Sequence, residues 1–376
     1  MKFIDLNAQY AFLKHEIDAK IQSVLNRSAF ILDVEVEEVE ENLATYVGRK
    51  HCVTCGNGTD ALSLSMEVLN IRENAAVFVP TFTFFASAEA VSKAGAQPVF
   101  VDINRDTFNI CTQSLEEKVE MVLKDKRFTP RAIVAVDLFG MPADFDGICK
   151  IANRYNLKII EDGAQGFGGT LNGERACSFG DISTTSFFPA KPLGCYGDGG
   201  AVFVNDSTCD ALLRSLRFHG KGLDKYDNVR IGCNSRLDNL QAAILLVKLE
   251  AFKSYELDAR HNLARLYDEN LKDVCKVPLI PHQFTSSYAQ YTLTLRDENE
   301  CNALKEHLNK DKVPFMVYYP RCMHKMKAYE SYPFDNRVLP NGEEVSKRVI
   351  SLPMHPYMKI EDAEIVISSV RSFFVK

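Results

Sequence analysis

Leu157-Lys158-Ile159-Ile160-Glu161 is a short, nearly continuous apolar run that stops on a second acidic residue and a glycine turn, Asp162-Gly163-Ala164-Gln165. A run of this length without alternation suits a strand covered on both faces. Three relatives of it lie upstream: Ala76-Val77-Phe78-Val79-Pro80, Pro98-Val99-Phe100-Val101 and Ala132-Ile133-Val134-Ala135-Val136. Helical patterns separate them. Segment 59–70 carries Leu62, Met66 and Leu69 at helical spacing, and 87–95, 114–123 and 144–155 read the same way. From about residue 50 to 205 the chain thus alternates strand and helix, which predicts a mostly parallel α/β sheet. Such a sheet binds ligands at the carboxyl ends of its strands.

Beyond Arg236 the pattern changes. A long helical tract over 237–271 is followed by Pro278 and Pro281, and a small α+β domain is expected after it: a strand at 288–295, a helix at 301–308, a strand at 314–319 and a terminal helix at 361–373. A chain of 376 residues, 46% hydrophobic and 25% charged, has the material for a large core and about two domains. Its net charge of -6 and the lack of a long Lys/Arg run argue against nucleic acid or an anionic membrane as partner. No run reaches the roughly 18 apolar residues of a membrane span. The start, Met1-Lys2-Phe3-Ile4-Asp5-Leu6, lacks the apolar core of a signal peptide, so a cytoplasmic protein is expected. Eleven scattered cysteines suit reduced thiols, and Cys52-Val53-Thr54-Cys55 reads as buried structural residues rather than a metal site.

Four constellations carry chemistry. In Ser186-Phe187-Phe188-Pro189-Ala190-Lys191-Pro192-Leu193-Gly194-Cys195-Tyr196-Gly197-Asp198-Gly199-Gly200 one lysine stands between prolines and a glycine-rich turn. A lysine that must offer a neutral amine to a carbonyl needs such a rigid, partly dehydrated frame. Cys55-Gly56-Asn57-Gly58-Thr59-Asp60 is a glycine turn opening a helix, whose free N–H groups and threonine hydroxyl make a phosphate cradle. Asp162 ends a buried strand and calls for a cation, such as a protonated pyridine nitrogen. Pro80-Thr81-Phe82-Thr83-Phe84-Phe85 offers rings to a planar ligand. Singly, each has a plainer reading: a hairpin lysine, a helix N-cap, a carboxylate held by backbone amides, core phenylalanines. Together they match the needs of pyridoxal 5′-phosphate (PLP), which takes a Schiff-base lysine, an acid at its ring nitrogen, a phosphate site and a face against its ring.

The order Gly58-Thr59, Phe82-Thr83-Phe84, Asp162-x-Ala164-Gln165, Ser186 to Lys191, Gly197-Asp198-Gly199-Gly200, His219-Gly220 and Asn234-Ser235-Arg236-Leu237-Asp238 resembles the DegT/DnrJ family of nucleotide-sugar aminotransferases. The resemblance runs from Phe3 to Pro356. The segments 191–200, 286–291 and 351–357 look most like the aminotransferases of UDP-2-acetamido-3-keto-hexuronic acid. It implies a fold-type I aminotransferase: a PLP-binding large domain at 1–250 with a mostly parallel seven-stranded sheet flanked by helices, and a smaller α+β C-terminal domain at 251–376, against which the N-terminal segment has room to pack. Lys191 and Asp162 would be catalytic, the lysine as Schiff base and proton carrier, the aspartate at the ring nitrogen. Gln165 and Phe84 would lie along the ring. Gly58, Thr59, Asp60 and Ser186 would bind the phosphate, with Asn234 arriving from the second subunit of a homodimer that shares its sites. Arg236, His219, Tyr318 and Tyr319 would face the nucleotide-sugar, and no metal is expected.

The implied reaction moves an amino group from L-glutamate to a keto-sugar nucleotide, as in the making of surface polysaccharide. A 4-keto- or 3-keto-6-deoxy sugar on UDP or dTDP is the alternative substrate. The sugar dehydratase branch of the fold replaces the lysine by histidine, and a non-catalytic regulatory protein would have lost Lys191, Asp162 or the phosphate site; this chain keeps all of them. Two departures fall at the sugar end. Phe30-Ile31-Leu32-Asp33-Val34-Glu35-Val36 lacks the family's Gly-Pro turn, and Tyr318 stands where a histidine is often seen.

Overall fold

In a computed structural model, residues 1–224, 226–330, 332 and 339–375 are described. Two helices, α1 (Leu6–Arg27) and α2 (Val34–Val47), precede the alternating region β1 (His51–Cys55), α3 (Gly58–Val68), β2 (Ala75–Pro80), α4 (Ala86–Lys93), β3 (Gln97–Val101), α5 (Thr112–Asp125), β4 (Thr129–Val136), α6 (Phe145–Tyr155) and β5 (Lys158–Asp162). A small hairpin, β6 (Thr170–Leu171) and β7 (Glu174–Arg175), leads to β8 (Ile182–Ser186), β9 (Gly200–Val204) and α7 (Ser207–Leu216). The sheet has seven strands in the order β1-β9-β8-β5-β4-β2-β3, and β9 alone runs against the others.

Two-residue alternation divides the central strands between two cores. Val77 and Val79 of β2 join Leu62 and Met66 of α3 on one face, while Ala76 and Phe78 join Leu115 of α5 and Ile148 of α6 on the other. Both faces are covered, which is why these strands read as continuous apolar runs. The same alternation puts Cys52 and Cys55 into different cores on opposite faces of β1, so the pair cannot close on one metal ion.

The predicted helical tract is one run with a wide turn in it: α8 (Asn239–Ala251), a π-type turn at Phe252–Glu256 in which the Leu257 N–H reaches the Phe252 carbonyl, and α9 (Leu257–Leu271). Leu249 and Phe252 belong to the core beside the sheet; Ala264, Tyr267 and Leu271 belong to a separate C-terminal core. That second core is built on β11 (Tyr291–Thr294) paired antiparallel with β12 (Val349–Leu352), reached after β10 (Phe284–Thr285), and on α10 (Glu298–Lys310) and α12 (Ile360–Phe374); α11 (Pro340–Val345) lies just before β12. The N-terminal segment touches both parts. Leu13 and Ile17 of α1 pack on Ile244 and Ala251 of α8, and Phe12 stacks on Tyr255 and Tyr357.

One expected strand is corrected. Segment 314–319 forms no ladder: Met316 alone pairs with Ser351, through one bond in each direction. Pro314 and Pro320 flank the segment and have no N–H to donate, so pairing stops after one residue.

Candidate active site

The carboxyl ends of β1, β2, β5 and β8 meet along one edge of the sheet, and the predicted residues gather there. Asp162 is the last residue of β5 and is 6% exposed. Alternation turns its neighbour Glu161 the other way, into the protein, where the Cys177 and Phe179 N–H groups donate to it at 2.5 and 2.7 Å. The reading of a strand-end carboxylate held by backbone amides therefore belongs to Glu161. Burial raises the pKa of Glu161 and, more strongly, of the nearby Asp137, whose Oδ2 has no hydrogen-bond partner. Asp137 lies under the turn after Asp162; a Cβ at Gly166 would stand 2.3 Å from its Oδ2, so only glycine fits.

Asp162 has different company. Ser87 Oγ donates to its Oδ2 at 2.6 Å, and the Ala164 N–H donates to Oδ1 at 3.3 Å. Lys191 lies close enough for its ammonium form to be favoured by Asp162, but loss of water outweighs this and lowers the lysine pKa. Among the described residues nothing hydrogen-bonds its amine. The loop carrying it is tightly closed: the Phe187 N–H donates to the Gly199 carbonyl, Cys195 N–H to the Phe187 carbonyl and Lys191 N–H to the Phe188 carbonyl, each at 2.8 Å. Fully buried Phe187, Leu193 and Cys195 anchor it. The proline-glycine frame thus presents an amine whose pKa is lowered by loss of solvation.

The helix start expected to cradle phosphate is equally well defined. Asn57 caps α3 by accepting from the Asp60 N–H at 2.8 Å, which leaves the Gly58 and Thr59 N–H groups open at the helix start. Ser186, at the end of β8, comes so near that a Cβ on Gly58 would sit 2.7 Å from its Cβ. Its hydroxyl accepts from the Phe188 N–H at 3.3 Å and retains a proton to donate. Asp60 differs from its neighbours: its N–H is taken by Asn57, and its Oδ2 accepts from Ser235 Oγ at 2.6 Å, so it braces the loop after α7.

Gln165 is 4% exposed and has both polar ends engaged: Oε1 accepts from the Phe139 N–H at 2.8 Å and Nε2 donates to Tyr319 Oη at 3.0 Å. What it can offer a ring is the side of its chain. The Tyr319 ring lies 6.1 Å from that of Phe84, which is 55% exposed and faces the crevice mouth; Tyr318 packs between Tyr319 and Phe3. The structure therefore joins Asp162, Lys191, Gln165, Phe84, Tyr318 and Tyr319 to the Gly58–Ser186 cradle.

It leaves three predicted residues outside. His219 and Asn234 are exposed, and the Arg236 guanidinium lies 4.8 Å over the Phe218 ring. No hydrogen bond or ring contact among the described residues ties them to Lys191 or Asp162. They share a loop after α7 whose Leu223, Tyr226 and Ile231 stand almost bare. At the other departure, Asp33 stands at the start of α2 and its N–H donates to Asn239 Oδ1 at 3.2 Å, while Leu32 takes the left-handed backbone that a glycine would favour. Sequence reasoning missed Ser87, Thr83 and the Asn57 cap. Asn57 was legible as an N-cap type two residues before Thr59; the hydroxyls carried no local signal.

These side chains fit a PLP molecule: an unpartnered amine, a buried acceptor and two open N–H groups in a cradle that a Cβ at Gly58 would fill. Comparison with known proteins agrees. Residues 12–371 match the model of the DegT/DnrJ/EryC1/StrS aminotransferase family. Over 373 residues, 98% of this chain and 99% of the other, the sequence is 42% identical to UDP-2-acetamido-2-deoxy-3-oxo-D-glucuronate aminotransferase of Pseudomonas aeruginosa. The fold superposes on a DegT DnrJ EryC1 StrS aminotransferase from Brucella abortus with a TM-score of 0.97, at 45% identity and full coverage of both chains. It also matches ntda from Bacillus subtilis, solved with bound cofactor PMP, with a TM-score of 0.88 at 26% identity, covering 100% of this chain and 83% of that one. Among the described residues no helix is long and apolar enough to cross a membrane.

Proposed function

The chain belongs to the DegT/DnrJ/EryC1/StrS aminotransferase family, and from that premise we propose that this PLP-dependent enzyme transfers an amino group from L-glutamate to the 3-keto group of UDP-2-acetamido-2-deoxy-3-keto-hexuronic acid. The observation that carries the catalytic part is the desolvated Lys191 amine, with no hydrogen-bond partner among the described residues, beside the buried Asp162 on the sheet edge that carries an open helix start. The likeness to the Pseudomonas aeruginosa enzyme along the whole chain supports the sugar.

When bound, PLP supplies an aldehyde for the amine and a ring that takes up electrons. The chain's own residues do the rest. Lys191, whose pKa burial lowers, would hold the cofactor through its amine and would serve as the group that moves a proton within the crevice. Asp162 would pair with the ring nitrogen, Gly58, Thr59 and Ser186 would hold the phosphate, and Phe84 and the Gln165 stem would lie along the ring. Tyr318 and Tyr319 face the sugar. Arg236 is the cation for a sugar carboxylate, since its planar fork matches that group.

The exposed loop that bears His219, Asn234 and Arg236 supports a homodimer in which these residues serve the partner's crevice. Eleven free thiols suit action in the reducing cytoplasm. The test is to incubate the purified, PLP-loaded protein with L-glutamate and a panel of keto-sugar nucleotides, and to weigh the products. Amination of the 3-keto-hexuronate is expected, and Lys191→Ala should abolish both the visible cofactor band and turnover. Retention of both would sink the assignment.

A further inference from the structure

Ser87 and Thr83 form a buried hydroxyl relay that ends on Asp162. Ser87 sits in the first turn of α4 and is 1% exposed; Thr83, in the loop after β2, is also 1% exposed. Ser87 Oγ is 2.6 Å from Asp162 Oδ2, and Thr83 Oγ1 is 3.0 Å from Ser87 Oγ. The carboxylate sets the direction. An ionised Asp162 can only accept, so the Ser87 proton must point at it; the lone pair left on Ser87 then accepts the Thr83 proton. Each hydroxyl is thereby oriented, and both are buried from bulk solvent. Between the two lies Phe84, so one short segment supplies both the ring face and the support of the carboxylate.

We propose that Ser87, backed by Thr83, is a positioning residue that holds the Asp162 carboxylate aimed at the ring nitrogen of the cofactor, its hydrogen bond opposing transfer of the ring proton to that carboxylate. The proposal rests on the PLP reading above. A carboxylate that accepts a hydrogen bond is a weaker base than a bare one. With Ser87 present, the proton therefore stays on the ring nitrogen, where it draws electrons; without it, the proton moves toward Asp162 and the ring becomes electron-richer. Asp162 also faces the Lys191 amine, the Tyr319 phenol and, from behind the strand, Asp137 and Cys177, and all of these are unchanged by a substitution at Ser87.

The test reads the cofactor rather than turnover alone. Wild type, Ser87→Ala, Thr83→Val and Thr83→Ser are loaded with PLP, and the visible band is titrated with pH while PLP affinity is measured. An electron-richer ring makes the nitrogen attached to Lys191 more basic, so Ser87→Ala should raise the midpoint of the band by about half a unit or more and weaken PLP binding roughly tenfold. Thr83→Val should shift the midpoint the same way by less, and Thr83→Ser should restore it. A purely structural role would lower the melting temperature with the midpoint unmoved, and that result overturns the relay. Wild type that forms no visible band with PLP would instead overturn the cofactor reading, so the two failures are distinct.

Discussion

Loss of solvation lowers the pKa of two lysines in this protein, with different outcomes. Lys191 is short of partners beside a ligand crevice. Lys248, on α8, is 1% exposed and lies 4.9 Å over the Tyr196 ring, deep between α1 and the catalytic loop. Burial lowers its pKa to about 8, with Glu256 pulling it back up. In the unfolded chain the value returns to about 10.5, so between these limits the unfolded state holds more protons and the fold gains stability as pH rises. Below about 8 the buried ammonium is a penalty of roughly 3 kcal/mol relative to a neutral group. Lys248→Met should therefore stabilise the protein near pH 7 by about 2 kcal/mol and flatten the rise in stability between pH 8 and 10. Urea unfolding at both pH values measures this; a variant with the same pH slope as wild type would refute it.

Elements meet in this fold through single close approaches, and two of them can be broken cleanly. At the start of α3, Gly58 touches Ser186 of β8 so closely that a methyl group would collide with it at 2.7 Å. Gly58→Ala should push the two apart, spoil the cradle and weaken PLP binding about tenfold or more, read by titrating the apo protein with the cofactor. Thermal stability alone would not report the loss. On the other side of the sheet, Glu40 of α2 is 4% exposed, accepts from the Thr54 N–H at 2.9 Å and pairs with Arg217 at 2.5 Å and Arg214 at 2.8 Å. Glu40→Gln strips the countercharge from a buried guanidinium and should cost about 3 kcal/mol, visible as a lower denaturant midpoint with cofactor spectrum intact. A change below about 0.5 kcal/mol would show that Arg217 finds another partner.

Over the whole molecule the argument concerns completeness of the site. His219, Asn234 and Arg236 make no hydrogen bond or ring contact with Lys191 or Asp162 of their own chain among the described residues, which is the layout expected if each copy finishes the other's site. Lys191→Ala and Asn234→Ala should then complement: mixing the two inactive or weakened proteins under exchange should restore about a quarter of the sites, because half of the pairs are hybrid and each hybrid has one intact site. Mixing without recovery, once hybrid formation has been verified by mass, would argue that every chain works alone.

Much of this was legible in the chain itself. The β/α alternation, the doubly covered strands and the places of Lys191 and Asp162 at strand ends depend on residues within a turn or a strand of each other, and local periodicity and side-chain chemistry are properties of the chain at short range. The strand expected over 314–319 was the exception, since Met316 alone pairs there. Tertiary structure decided the rest. Ser87 reaches Asp162 across 75 residues, Tyr319 reaches Gln165 across 154, and Arg217 reaches Glu40 across 177. A serine in a helix reads identically whether its hydroxyl meets solvent or a carboxylate, and only the packing of α4 against the end of β5 determines which. Lys191, Asp162 and the glycine turn before α3 stood out in the sequence; which hydroxyl reaches that acid was set by the fold.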